Sequence, residues 1–194
     1  MTFKYPSELD DHINLPNGEL LHVRPLRRGD DLPIRELYGN LSPETRYRRF
    51  LSPMPVLPDP ILRLISCVDY CRRLALFAEL DTRDGVQVVA LGSFAGIDDN
   101  TAEVALVVGD EWQRRGIGIA LAARLLLAAE ARGFDRFVAH VLRENVAIRR
   151  LLNHVGVVVS TKSQDGVSEV CFIRRQCQAF ANESEPGRVE APAC

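Results

Sequence analysis

Gln113-Arg114-Arg115-Gly116-Ile117-Gly118 lies between an apolar run, Val104-Ala105-Leu106-Val107-Val108, and an alanine- and leucine-rich segment from Ile119 to Arg132. The pattern reads as strand, turn and helix, with both glycines at the helix entrance. Gly116 and Gly118 carry no Cβ, so a ligand can come close to the backbone there. The first amides of a helix have no intrahelical acceptor, and the aligned peptide dipoles place partial positive charge on them. Such a turn suits phosphate or pyrophosphate, and Arg114 and Arg115 add cationic charge. The same residues also fit a plain strand-to-helix connection with two solvated arginines.

Two common phosphate loops fail on these residues. A Walker A loop needs Lys after its last glycine, and Ile117 stands there. The dinucleotide fingerprint needs a small residue where Leu121 stands, and it starts directly after its strand, whereas Asp110 to Arg115 intervene here. The pattern Gln/Arg-x-x-Gly-x-Gly/Ala fits without a gap. In this the chain resembles the GNAT acetyltransferase superfamily, whose acyl-CoA pyrophosphate loop has that form. The resemblance implies that Gln113, Arg114, Arg115, Gly116, Ile117 and Gly118 hold the CoA pyrophosphate.

Outward from the loop, the order of elements agrees with that family from about residue 19 to 175. Glu19 to Leu26 reads as a first strand after the turn Pro16-Asn17-Gly18. A helix follows, with its N-cap in Gly29-Asp30-Asp31 and Pro33 in its first turn. Ser42-Pro43-Glu44 starts a second helix, carrying Arg46, Arg48 and Arg49. A proline-rich connection leads to a third, starting at Asp59-Pro60. Leu74–Leu80, Val86–Ile97 and Ala102–Val108 form an antiparallel meander. After the long helix come a strand over Arg136–Leu142, a helix capped by Asn145 and closed by Gly156, and a last hairpin around Gln164-Asp165-Gly166. The fold class is α+β: a mixed, mostly antiparallel central sheet with helices on both faces. Residues 1–18 read as a polar arm, 19–178 as the domain, and 179–194 as a disordered tail.

The resemblance assigns further roles. Asn145, in Asn145-Val146-Ala147-Ile148-Arg149-Arg150-Leu151, resembles the family's Asn-x-Ala-x-x-x-Leu segment and would contact the pantetheine arm. Leu106, Val107 and Val108 would offer backbone groups to the pantetheine amides, so that the ligand acts like an added strand in a splayed sheet. Glu103 stands where some protein-lysine acetyltransferases of the superfamily place a basic glutamate. An amine must lose a proton to attack a thioester, and a carboxylate at the cleft can take it directly or through water. His140 is the competitor for that role. Val23-Arg24-Pro25-Leu26 and Leu41 to Phe50 resemble bacterial protein-lysine acetyltransferases in particular, which implies that the arginines of residues 46–49 meet a protein substrate or the adenosine 3′-phosphate. One departure stands out: many members place a tyrosine general acid near the position of Leu152. The implied function is transfer of an acetyl group from acetyl-CoA to a primary amine, foremost a protein lysine. A small-molecule acceptor, a non-catalytic acyl-CoA sensor and a nucleotide-binding domain are the alternatives.

Composition narrows the rest. The net charge of −2 gives no reason to invoke nucleic acid or an anionic membrane as a partner. No apolar run approaches the ~20 residues that cross a bilayer, and the N-terminus lacks a signal-peptide core, so a cytoplasmic location is expected. The five cysteines are odd in number and lack zinc-site spacing, so reduced thiols in or near the core are expected and no metal. The oligomeric state stays open, a homodimer included.

Overall fold

The computed structural model describes residues 4–175. The disordered tail expected from residue 179, with Cys177 and Cys194, lies outside the described residues. Eight strands and five α-helices follow in the order β1 (Asp11–Asn14), β2 (Leu20–Pro25), α1 (Asp31–Gly39), α2 (Pro43–Phe50), α3 (Asp59–Ser66), β3 (Arg73–Thr82), β4 (Gly85–Gly96), β5 (Thr101–Val108), α4 (Ile117–Glu130), β6 (Arg136–Leu142), α5 (Val146–Val155), β7 (Gly156–Gln164) and β8 (Val167–Arg174).

One sheet takes all eight strands, in the order β1-β2-β3-β4-β5-β6-β8-β7. Every pairing is antiparallel except β5 with β6. Alternate side chains of a strand face opposite sides of the sheet, so each strand feeds two cores. On one face Val23, Leu76, Phe94, Phe137 and Phe172 pack with Leu121, Leu125 and Leu126 of α4 and Leu152 and Val155 of α5. On the other, Phe77, Leu91 and Val107 pack with Ile34, Leu37 and Tyr38 of α1 and Leu62 of α3.

Local sequence explains most boundaries. The Ser42 hydroxyl caps α2 by accepting from the Thr45 amide at 3.2 Å, with Pro43 in the first turn. Asn145 caps α5 the same way, accepting from the Ile148 amide at 3.2 Å. Asp30 stands at the N-cap of α1, but its carboxylate faces elsewhere: it accepts from Arg24 Nη1 at 2.8 Å and from the Arg27 amide at 2.7 Å. Reading residues 1–18 as a polar arm leaves out β1, a short, mostly exposed strand whose side chains carry no apolar alternation. It is held by pairing with β2, Asp11 opposite Val23 to Asn14 opposite Leu20.

Candidate active site

The expected turn is present and has the backbone for an anion. Arg114 and Gly116 both adopt positive φ, 63° and 88°. Gly116 is the N-cap of α4, and the first intrahelical bond runs from the Ala120 amide to the Gly116 carbonyl at 3.0 Å. The amides of residues 117–119 therefore have no acceptor inside the helix, and Gly116, Gly118 and Ile119 line the cleft. Gly118 faces the cleft beside Leu151, and a Cβ there would stand 3.1 Å from Leu151 Cδ1. Gln113 and Arg114 also line the cleft. Gln113 Nε2 donates to the Val108 carbonyl at 3.2 Å, which fixes the loop onto the end of β5. The Arg115 side chain does not face the cleft, against the expectation that it adds charge there, and the Ile117 side chain turns inward. Arg115 stacks over Trp112 at 4.7 Å and reaches Glu19 at 3.5 Å, and Ile117 is buried in the core. Only their backbone can serve a ligand in this arrangement.

The cleft exists because two strands part. The β5–β6 ladder holds for three residue pairs, Thr101 with Arg136, Ala102 with Phe137 and Glu103 with Val138, and stops there. Beyond it Val104 to Val108 keep β4 on one edge and lose β6 on the other. The wedge between the strands opens into a cavity of about 770 Å³, lined by residues 103–108 of β5, Ala139, His140 and Val141 of β6, Asn145, Ala147, Ile148 and Leu151 of α5, and Thr45, Arg48, Arg49 and Phe50 of α2. Leu106, Val107, Val108 and Asn145 are among the residues lining this cavity.

Glu103 and His140 meet where the strands begin to part. Glu103 Oε1 lies 3.6 Å from His140 Nδ1, and His140 Nε2 lies 3.6 Å from Glu169 Oε2 on β8. The sequence offered Glu103 and His140 as rivals; they are neighbours in one row. The Glu103 side chain is 51% exposed, so it opens to the cleft and is not enclosed by protein. Glu169 carries no local sequence signal, because only the β6–β8 register, His140 opposite Glu169, brings it here.

The arginines of α2 divide into three roles. Arg46 turns away from the cleft, donates to the carbonyls of Tyr38, Gly39 and Pro55 at 3.2, 2.9 and 2.6 Å, and stacks over Tyr38. It braces the loops and takes no part in the site, against the expectation for residues 46–49. Arg48 lines the cleft and pairs with Glu44 one turn back at 2.5 Å. Arg49 lines the cleft and stacks over Phe50 at 4.9 Å. Burial pulls its guanidinium down to about 10, against the opposing attraction of Glu103. Its Nε has neither solvent nor a partner among the described residues.

Asp110 fixes α2 to the loop. Its carboxylate accepts from the Ser42 amide at 2.8 Å and the Ser42 hydroxyl at 2.7 Å, and from the Thr45 hydroxyl at 2.6 Å. Burial pushes this carboxyl up, but the bonds from Thr45 and Ser42 outweigh it and hold it below its usual value. The carboxylate beside the 113–118 turn is thereby committed to a helix terminus.

Leu152 is buried among core side chains, and no tyrosine lines the cleft. The protic side chains lining it include Thr45, Glu103, His140 and His154. Among the described residues no three of His, Cys, Asp and Glu gather as metal ligands. Cys67 and Cys71 are exposed and Cys171 half-buried, so the expected burial of thiols holds poorly. Cys67 caps the end of α3 and Cys71 lies beyond it, so they share no helix face. No described helix is long and apolar enough to cross a membrane.

Comparison with known proteins agrees with this geometry. The chain is 35% identical over 151 residues to the acetyltransferase Pat of Mycolicibacterium smegmatis, covering 75% of this chain and 44% of that protein. It therefore spans less than half the length of that relative. Among solved structures, the GNAT domain of S. lividans PAT superposes with a TM-score of 0.79 at 27% identity, covering 88% of this chain and 99% of that one. The structure of yncA from Salmonella typhimurium with its cofactor acetyl-CoA has the same fold, with a TM-score of 0.64 at 19% identity over 84% of this chain and 98% of that one. The profile of the acetyltransferase (GNAT) family matches residues 40–157, more than half of the sequence, and the chain belongs to that family.

Proposed function

We propose that this chain transfers an acetyl group from acetyl-CoA to the side-chain amine of a protein lysine, directly, in a ternary complex. The observation that carries the reading is the end of the β5–β6 ladder at Glu103. From Val104 to Val108 the open edge of β5 runs for about 14 Å at strand rise. A pyrophosphate on the loop after Val108 then lays an extended pantetheine arm along this edge and brings the thioester to the end that Glu103 and His140 occupy.

The chain's residues have distinct parts in that reaction. Amides of the α4 N-terminus hold the pyrophosphate, and backbone groups of 104–108 align the arm and polarise the thioester carbonyl. The acceptor nitrogen attacks that carbonyl; a C–N bond forms and the C–S bond breaks. The proton of the nitrogen passes to Glu103 or, through the row, to His140. The departing thiolate is a good leaving group, which lessens the need for the tyrosine that Leu152 replaces. The preference for a protein acceptor rests on the resemblance of residues 23–26 and 41–50 to bacterial protein-lysine acetyltransferases.

An acceptor screen tests this. With acetyl-CoA as donor, lysine peptides and whole-cell protein are expected to be acetylated faster than small amines. Turnover confined to small amines would transfer the assignment to a small-molecule acetyltransferase. CoA binding without turnover of any amine would make the chain a sensor.

A further inference from the structure

This inference rests on the proposed function and concerns what else the cleft recognises. Arg46 has three carbonyl acceptors and Arg48 has Glu44. Arg49, on the same short helix, has no ion pair and no hydrogen-bond acceptor among the described residues, and its Nε is sealed from solvent without a partner. A guanidinium taken partly out of water and left unpaired is costly. It stacks over the Phe50 ring and borders apolar side chains of α1 and β5, and Glu103 stands beyond ion-pair distance. Arg49 nevertheless lines the cleft together with Glu103, one helical turn beyond Thr45, the residue that Asp110 ties to the loop end.

We infer that Arg49 is an anion-recognition point at the reacting end of the cleft, taking a carboxylate carried by the acyl chain of the donor or by the acceptor beside its amine. The chemistry is the same in both cases: a planar guanidinium donates paired N–H bonds to a carboxylate, in an apolar setting where the pair is strong. Glu103 and Arg49 then present opposite charges to one bound complex, the carboxylate drawing the amine and the guanidinium drawing the anion.

Two arms separate the sources. In the donor arm, calorimetry compares succinyl-CoA with butyryl-CoA on the full chain. In the acceptor arm, kcat/KM with acetyl-CoA is compared for lysine peptides carrying Asp or Asn next to the lysine. We expect wild-type preference for the carboxylate by about 10- to 100-fold in one arm, the worth of a hydrogen bond to a charged group. In Arg49→Gln that ratio should fall close to one, and in Arg49→Lys it should be partly kept. A preference in the donor arm assigns the anion to the acyl chain; a preference in the acceptor arm assigns it to the acceptor. A wild-type ratio near one in both arms overturns the inference, whether or not the variants fold, and so does a ratio that Arg49→Gln leaves unchanged. Failure of the wild-type chain to bind any CoA ester would instead overturn the proposed function.

Discussion

His140 Nδ1 lies 3.6 Å from Glu103 Oε1, two residues beyond Val138, the partner of Glu103 in the last pair that joins β5 to β6. On the proposed reading these two groups serve one proton transfer, and their effects on rate should not multiply. Glu103→Gln is expected to bind acetyl-CoA normally and to lose about 10²–10⁴-fold in kcat, the usual worth of a positioned base. His140→Ala should lose part of the same factor. The double variant should be little worse than Glu103→Gln alone. Losses that multiply in the double variant would show two independent roles.

Gly118 gives a clean probe of the donor site, and Gly116 does not. At φ +88° a branched side chain at Gly116 is strained in any case, and its Cβ would meet Pro16 Cδ at 3.1 Å. Gly118 has no positive φ, and its neighbours Leu151, Val108 and Leu106 are cleft-lining side chains. Gly118→Val should raise the CoA dissociation constant by about 10- to 100-fold, the cost of overfilling a tight contact. Wild-type affinity in that variant, measured by calorimetry, would remove the loop from the donor site.

The Asp110 cap predicts a pH dependence. Its carboxyl is held below its unfolded value of 3.8, so the folded state favours the ionised form. The stabilisation is fully present above that unfolded value and is lost as pH falls through the lower folded value. Asp110→Asn should therefore lower the melting temperature at neutral pH and flatten its decline in acid. Melting curves of the two proteins between neutral pH and pH 3 decide it; parallel curves would show that the cap contributes no linkage.

Arg46 should matter for stability and not for acceptor selection. Its three bonds to loop carbonyls tie α2 to the ends of α1 and the proline-rich connection. Arg46→Ala should cost about 2 kcal/mol, a fall of about 4–8 °C in melting temperature for a domain of this size. The acceptor KM of the folded fraction should stay unchanged. A raised acceptor KM with an unchanged melting temperature would return Arg46 to the binding surface.

Legibility followed the range of the interaction. Ser42, Pro43, Asn145 and Gly116 shape the backbone within a few residues of themselves, and their caps and turn appear where the sequence places them. The turn at residues 113–118 is equally local, whereas the open edge of β5 depends on where β6 leaves it, and only the resemblance to the family points to it. Glu169 and Asp110 act through partners far along the chain, His140 and Thr45, and nothing near them in sequence announces it. The arginines of α2 show the limit most plainly. Helical spacing puts them on one short element, but only the surrounding loops decide that Arg46 is spent on carbonyls while Arg49 is left free.

The three-pair ladder between β5 and β6 has a consequence for how the protein meets its cellular supply. On the proposed reading, the wedge and the loop grip the nucleotide and the arm, and both remain when the acetyl group has gone. Acetyl-CoA and free CoA then share nearly all of the binding energy, which is uniform binding and adds nothing to the chemical step. Spent CoA becomes a competitor of comparable strength, and its departure a slow step of the cycle. The rate of such a protein follows the ratio of charged to spent carrier more closely than the amount of either.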